Sequence, residues 1–102
     1  MKEIDRQYQQ VVDDLANEFL MLPKEELAAQ PDYGSISRKL DGRDLAIAFW
    51  HYRFRGDVDH IVFITDRRLL LPFFFRKFIS GVVFGLTTNP RLMTDEETGD
   101  YD

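Results

Sequence analysis

Asp41-Gly42 stands between two runs in which side chains alternate with a period of two. An Asp-Gly pair in that setting is among the strongest hairpin signals, because both central positions of a type I′ turn need positive φ. Ser35 to Leu40 and the stretch from Asp44 are therefore expected as antiparallel strands. A two-residue turn places Lys39 opposite Asp44 and Ile36 opposite Ile47. Ile36, Leu40, Leu45, Ile47 and Phe49 then share one face. Ser35, Ser37, Lys39, Ala46, Ala48, Trp50, Tyr52 and Phe54 share the other.

The first face needs a cover, and the N-terminal segment supplies one. Ile4, Tyr8, Val11, Val12, Leu15, Phe19 and Leu22 recur at spacings of three and four, with Arg6, Gln10, Asp13, Asp14, Asn17 and Glu18 opposite. That period predicts an amphipathic helix, ended by Pro23, which disfavours helical geometry at Leu22. Pro23 to Gln30 predicts a second, short helix, with proline at its first position, glutamates in its first turn and Pro31 beyond. Leu15, Phe19, Ile47 and Phe49 are aimed at one another by two separate periodicities and are the expected core.

Beyond Tyr52 the pattern is looser. Gly56-Asp57 suits a second tight turn, with a third strand from Val58 to about Leu71. If those two residues make the turn, Val62 and Ile64 face the helix, Ile61 and Phe63 join Trp50 and Tyr52, and His51 and His60 share a face; a longer loop shifts this register by one. Pro72 must break the ladder or sit at an edge. Phe73 to Ser80 reads either as a bulged strand or as a helical turn closed by Gly81, and Val82-Val83-Phe84 as a strand. The expected fold is α+β, one domain over residues 1–86. Its N-terminal helix and short second helix pack on an antiparallel meander of three or four strands. Residues 87–102, rich in carboxylates and without periodicity, are expected as a disordered tail.

Composition narrows the function classes. The 102 residues include no cysteine, which removes disulfides, thiolate catalysis and sulfur-ligated zinc. The charged N-terminus lacks the apolar run of a signal peptide, and the longest apolar stretch, Leu69 to Leu86, is interrupted by Pro72, Arg76, Lys77, Gly81 and Gly85. Cytoplasmic residence without a membrane span is the expectation. The sequence holds no nucleophile elbow, phosphate-binding loop, dinucleotide fingerprint or metal-ligand helix motif, so no cofactor is called for and no enzyme activity is expected.

Charge is distributed unevenly. Residues 1–33 carry a balance of −5, residues 34–94 of +5 and the last eight of −5. A basic middle between acidic ends is either a surface for a polyanion or the complement of the chain's own acidic segments.

Three functional readings follow. Trp50, Tyr52, Phe54 and Phe63, with Arg67, Arg68, Arg76 and Lys77, have the side chains that dominate protein interfaces, and an aromatic sheet face left open by one helix calls for a partner or a second copy. This leading reading makes the chain a non-catalytic adaptor, inhibitor or immunity-type module, expected to form a homodimer or to bind another protein through that face. The alternative is a sheet that stacks single-stranded nucleic acid on its aromatic rings, with arginines on the phosphates. The third is a metal-dependent enzyme built on His51, Asp57, Asp59 and His60 of the second hairpin.

Overall fold

The computed structural model describes residues 2–53, 57–69 and 74–102. Helix α1 spans Glu3–Leu20 and α2 spans Lys24–Ala28, with Pro23 as the residue flanking its start. The strands are β1 Tyr33–Leu40, β2 Arg43–Arg53, β3 Val58–Arg68, β4 Phe75–Gly85 and β5 Arg91–Leu92, followed by α3, Asp95–Gly99. They form one antiparallel sheet in the order β1-β2-β3-β4-β5, an α+β fold with one strand more than the sequence suggests.

The first hairpin has the expected register. Asp41 and Gly42 have φ of 50° and 77°, Lys39 pairs with Asp44, and Ile36 pairs with Ile47. Val12, Leu15 and Ala16 of α1 are buried against Ile47, Phe49, Ile61, Phe63, Phe78, Val82 and Phe84, and Leu27 of α2 completes this core. Phe19 stays partly exposed at its margin, its ring 4.8 Å from that of Phe63 in an edge-on arrangement and 6.2 Å from that of Phe49. We call the sheet face under α1 the inner face.

The second hairpin departs from the two-residue turn. His51 pairs with Ile61 and Arg53 with Asp59, so an odd number of residues separates the last paired positions, whereas a two-residue turn requires an even number. A slip of one residue exchanges every side chain between faces. Ile61 and Phe63 therefore lie on the inner face, and Val62 and Ile64 on the outer. Phe54, Arg55 and Gly56, and with Gly56 half of the expected turn pair, lie outside the described residues, as do Leu70, Leu71, Pro72 and Phe73. Strand β3 ends at Arg68. The segment before Val82 is neither a helical turn nor a separate element, because β4 runs unbroken from Phe75 to Gly85.

Residues 87–102, expected without structure, instead carry β5 and α3. The cause is local. Thr94 accepts from the Glu97 amide at 3.2 Å while its own amide donates to Glu97 Oε1 at 2.9 Å, a reciprocal capping box. The Glu97 carboxylate also accepts from both terminal nitrogens of Arg91, at 2.7 and 3.0 Å, so the cap is locked to β5.

Candidate interaction face and the segment that covers part of it

The outer face has two halves. One is occupied by the chain's own C-terminus. The Met93 amide donates to the Gly81 carbonyl at 2.8 Å, and a Cβ on Gly81 would sit 2.4 Å from Met93 Sδ. A glycine is therefore what lets Met93 lie on the sheet there. After α3, Tyr101 returns over the face: its ring centroid is 4.9 Å from that of Tyr52, and its hydroxyl is 2.7 Å from His60 Nδ1. Beneath this strap Val62 and Val83 are buried. Burial pushes the Tyr101 hydroxyl above its ordinary value and, for the same reason, holds the His60 imidazole below 6.5. Glu97 is lowered to about 2, chiefly by its hydrogen bonds from Arg91.

The other half is open. Tyr33 and Trp50 are cross-strand neighbours, 75% and 38% exposed. Beyond them along β1 and β2 the outer positions are small: Ser35 pairs with Ala48 and Ser37 with Ala46, with half-buried Ile64 beside Ala48 on β3. The result is a low floor of small polar and apolar side chains with an aromatic pair at one end. Tyr33 joins the expected face residues from a position two residues ahead of the strand start expected at Ser35; its exposure on an edge strand is the signal.

The remaining candidates scatter. Phe63 is fully buried in the core under α1. Arg68 lies on the outer face, its guanidinium carbon 5.7 Å from the Phe75 ring centroid. The Trp50 partner, Val62, is separated from Arg68 by about 20 Å of β3, at roughly 3.3 Å per residue, so the two do not share a patch. Lys77 is also outer, in a cleft of about 220 Å³ that it lines with Gln9, Ile79, Asp95, Thr98, Gly99 and Asp102. Asp95 and Asp102 of the C-terminal segment thus share a cleft with one of the cations of the basic middle.

Arg67 and Arg76 point the other way. On the inner face they converge on Asp5, whose side chain is 1% exposed near the start of α1; Arg67 Nε donates to Oδ1 at 2.9 Å and Arg76 Nη1 donates to Oδ2. Burial alone raises the Asp5 carboxyl, but hydrogen bonds and charge from Arg76 and Arg67 outweigh it and hold it below 3.8. These two arginines tie the helix to β3 and β4.

The histidines are separated as well. The expected common face for His51 and His60 came from the two-residue register; with the slip, His51 is inner and His60 outer. The His51 side chain is buried, with Nδ1 2.9 Å from the Gln30 carbonyl and Nε2 2.8 Å from Asp59 Oδ2. Arg53 adds bonds to the Ala28 and Gln30 carbonyls at 3.0 and 2.9 Å. Together they satisfy carbonyls that the end of α2 leaves unpaired. Both ring nitrogens are engaged, so His51 has no free atom for a substrate. No group of three metal-ligating side chains occurs among the described residues.

No helix among the described residues is long and apolar enough to cross a membrane. Comparison with protein-family models, with curated proteins and with solved structures returned no match.

Proposed function

We propose that this chain is a non-catalytic interaction module that binds another protein on the open half of its outer sheet face. The observation that carries this reading is the exposed cross-strand pair Tyr33–Trp50 at the end of a floor of Ser35, Ser37, Ala46, Ala48 and Ile64. Large aromatic side chains beside a flat surface of small side chains are the features from which protein hot spots are built, since their burial gains most per side chain at little entropic cost. Charge favours protein over nucleic acid as the ligand. Arg67 and Arg76 are committed to Asp5 on the far face, Arg91 to Glu97, and Lys77 shares a cleft with Asp95 and Asp102 away from Trp50, so the open half offers few cations to a phosphate backbone. The placement of His51 and His60 on opposite faces of the sheet supports a non-catalytic reading over the enzyme alternative.

The test is affinity capture by the wild type and by Trp50→Glu, each with and without nuclease. A discrete protein that survives nuclease and is lost with Trp50→Glu supports the reading. Recovery of RNA or DNA that nuclease removes would favour the single-stranded nucleic-acid alternative.

A further inference from the structure

The two edges of the sheet are built differently. β5 is two residues long, follows Pro90, and passes into α3. β1 is eight residues long and has no proline or bulge. Ladder bonds alternate along an antiparallel pair. The His51 amide donates to the Asp32 carbonyl at 2.8 Å, which fixes the phase: even-numbered residues of this segment bond to β2. Tyr33, Ser35, Ser37 and Lys39 therefore direct their amides and carbonyls away from the sheet. Among the described residues no backbone hydrogen bond outside the β1–β2 ladder reaches these four. The Ser37 carbonyl accepts only from its neighbour, Arg38 Nη1, at 3.2 Å, in an exposed position.

We propose that β1 pairs antiparallel with β1 of a second copy, with Ile36 on the two-fold axis, and so makes one continuous sheet across a homodimer. The occupant follows from self-complementarity. With Ile36 on the axis, Tyr33 stands opposite the second copy's Lys39 and Ser35 opposite the second copy's Ser37, and the reverse, so all four outward positions are used. Each hydrogen-bonded pair exchanges two bonds, giving roughly eight across the interface. Moving the axis by one residue in either direction leaves one of the four unpaired, and moving it to Arg38 sets two guanidinium groups against each other. In the chosen register no like charges meet. The Lys39 ammonium lies beside the exposed Tyr33 ring, a favourable cation–π neighbour, and half-buried Ile36 meets its own copy on the inner face. The same pairing gives a reason for a strongly exposed tyrosine on a bare edge, which otherwise invites uncontrolled strand addition. This inference does not depend on what the outer face binds.

The chain has no cysteine, so an introduced one reports cleanly. Ile36→Cys places two thiols at a non-hydrogen-bonded pair on the axis, where Cα atoms are about 4.5 Å apart and within disulfide reach. Mild oxidation should convert most of Ile36→Cys to a covalent dimer, while Ser35→Cys and Ser37→Cys alone, displaced from their own copies, should cross-link several-fold less. Wild type should sediment as a dimer. Ser37→Pro removes an outward amide without touching the β2 ladder, and should weaken that dimer at least tenfold with an unchanged circular dichroism spectrum. A monomeric wild type with no Ile36→Cys cross-link overturns the proposal. So does a dimer that Trp50→Glu disperses and Ile36→Cys fails to trap, which would assign self-association to the outer face.

Discussion

The ring of Tyr101 lies 4.9 Å from that of Tyr52 and its hydroxyl reaches His60, so the end of the chain covers one half of a sheet face whose other half, at Trp50, stays open. Tyr101 thereby pins the far end of a strap whose near end is held by β5 and Met93. Tyr101→Ala should cost about 1–2 kcal/mol, from one lost hydrogen bond and one lost ring contact. Tyr101→Phe keeps the ring and should cost about half as much. Urea unfolding of the three proteins, followed by the single tryptophan, gives both numbers.

The same strap should be acid-sensitive in two stages. His60 is held below 6.5 in the fold, so the unfolded chain takes up its proton first. Its contribution is full above that value and is lost as pH falls toward the folded value. Glu97 is lowered to about 2 from 4.5; its contribution is full above 4.5 and is lost as pH falls toward 2. Hydrogen exchange at residues 91–102 should therefore quicken, beyond its intrinsic pH dependence, first below about pH 6.5 and again below pH 4.5. His60→Gln should remove the first stage and Glu97→Gln the second.

Asp5 gives the fold its own acid dependence. Its carboxyl is held below 3.8, so the stability it supplies is complete above that value and fades as pH falls further. Asp5→Asn should lower the thermal midpoint at pH 7 and flatten the acid limb, because it leaves Arg67 and Arg76 facing each other beneath α1. Removing the whole cluster, with Asp5→Leu, Arg67→Met and Arg76→Met together, should do less harm than Asp5→Asn alone, since the largely buried Arg67 is then not left without its carboxylate. Differential scanning calorimetry at pH 7 and pH 3 compares them.

What could be read from the sequence divides at the second hairpin. The Asp41-Gly42 turn carries its own register, so Ile36, Ile47 and Phe49 could be placed from the pattern alone. After Tyr52 the apolar residues no longer alternate: Ile61 and Phe63 are buried under α1 while Val62 between them is buried under the strap and Ile64 continues the run half-buried, and a strand apolar on two faces has no period to read. Loop parity then decided the faces, and parity is not written in composition. The two-residue reading therefore exchanges the faces of Phe63 and His60, and no pattern in the sequence brings Asp5 to Arg67 and Arg76. The strap is hard to read for a different reason: its carboxylates resemble a solvated tail, although Thr94-Asp95-Glu96-Glu97 is the capping-box spacing of a helix start.

Close backbone approach makes a further test of the β3–β4 pairing. A Cβ on Gly85 would fall 1.5 Å from the Asp57 carbonyl oxygen, main chain that cannot rotate away. Gly85→Ala should destabilise by about 3 kcal/mol or more, comparable with the about 3–5 kcal/mol expected for Phe63→Ala in the core. Gly42→Ala, in open space at φ 77°, should cost about 1 kcal/mol from backbone strain alone. Chemical denaturation ranks the three.

The central claim is that the open half of the outer face receives a protein partner. A photo-crosslinking residue in place of Ala46, exposed on that floor, tests it in the cells that make the protein, with Asp14 on the solvent side of α1 as the control position. The account predicts one discrete adduct at Ala46 with a protein other than this chain, absent at Asp14 and abolished when Trp50→Glu is added. No adduct at Ala46, an adduct only with a second copy, or equal labelling from Asp14 would contradict it.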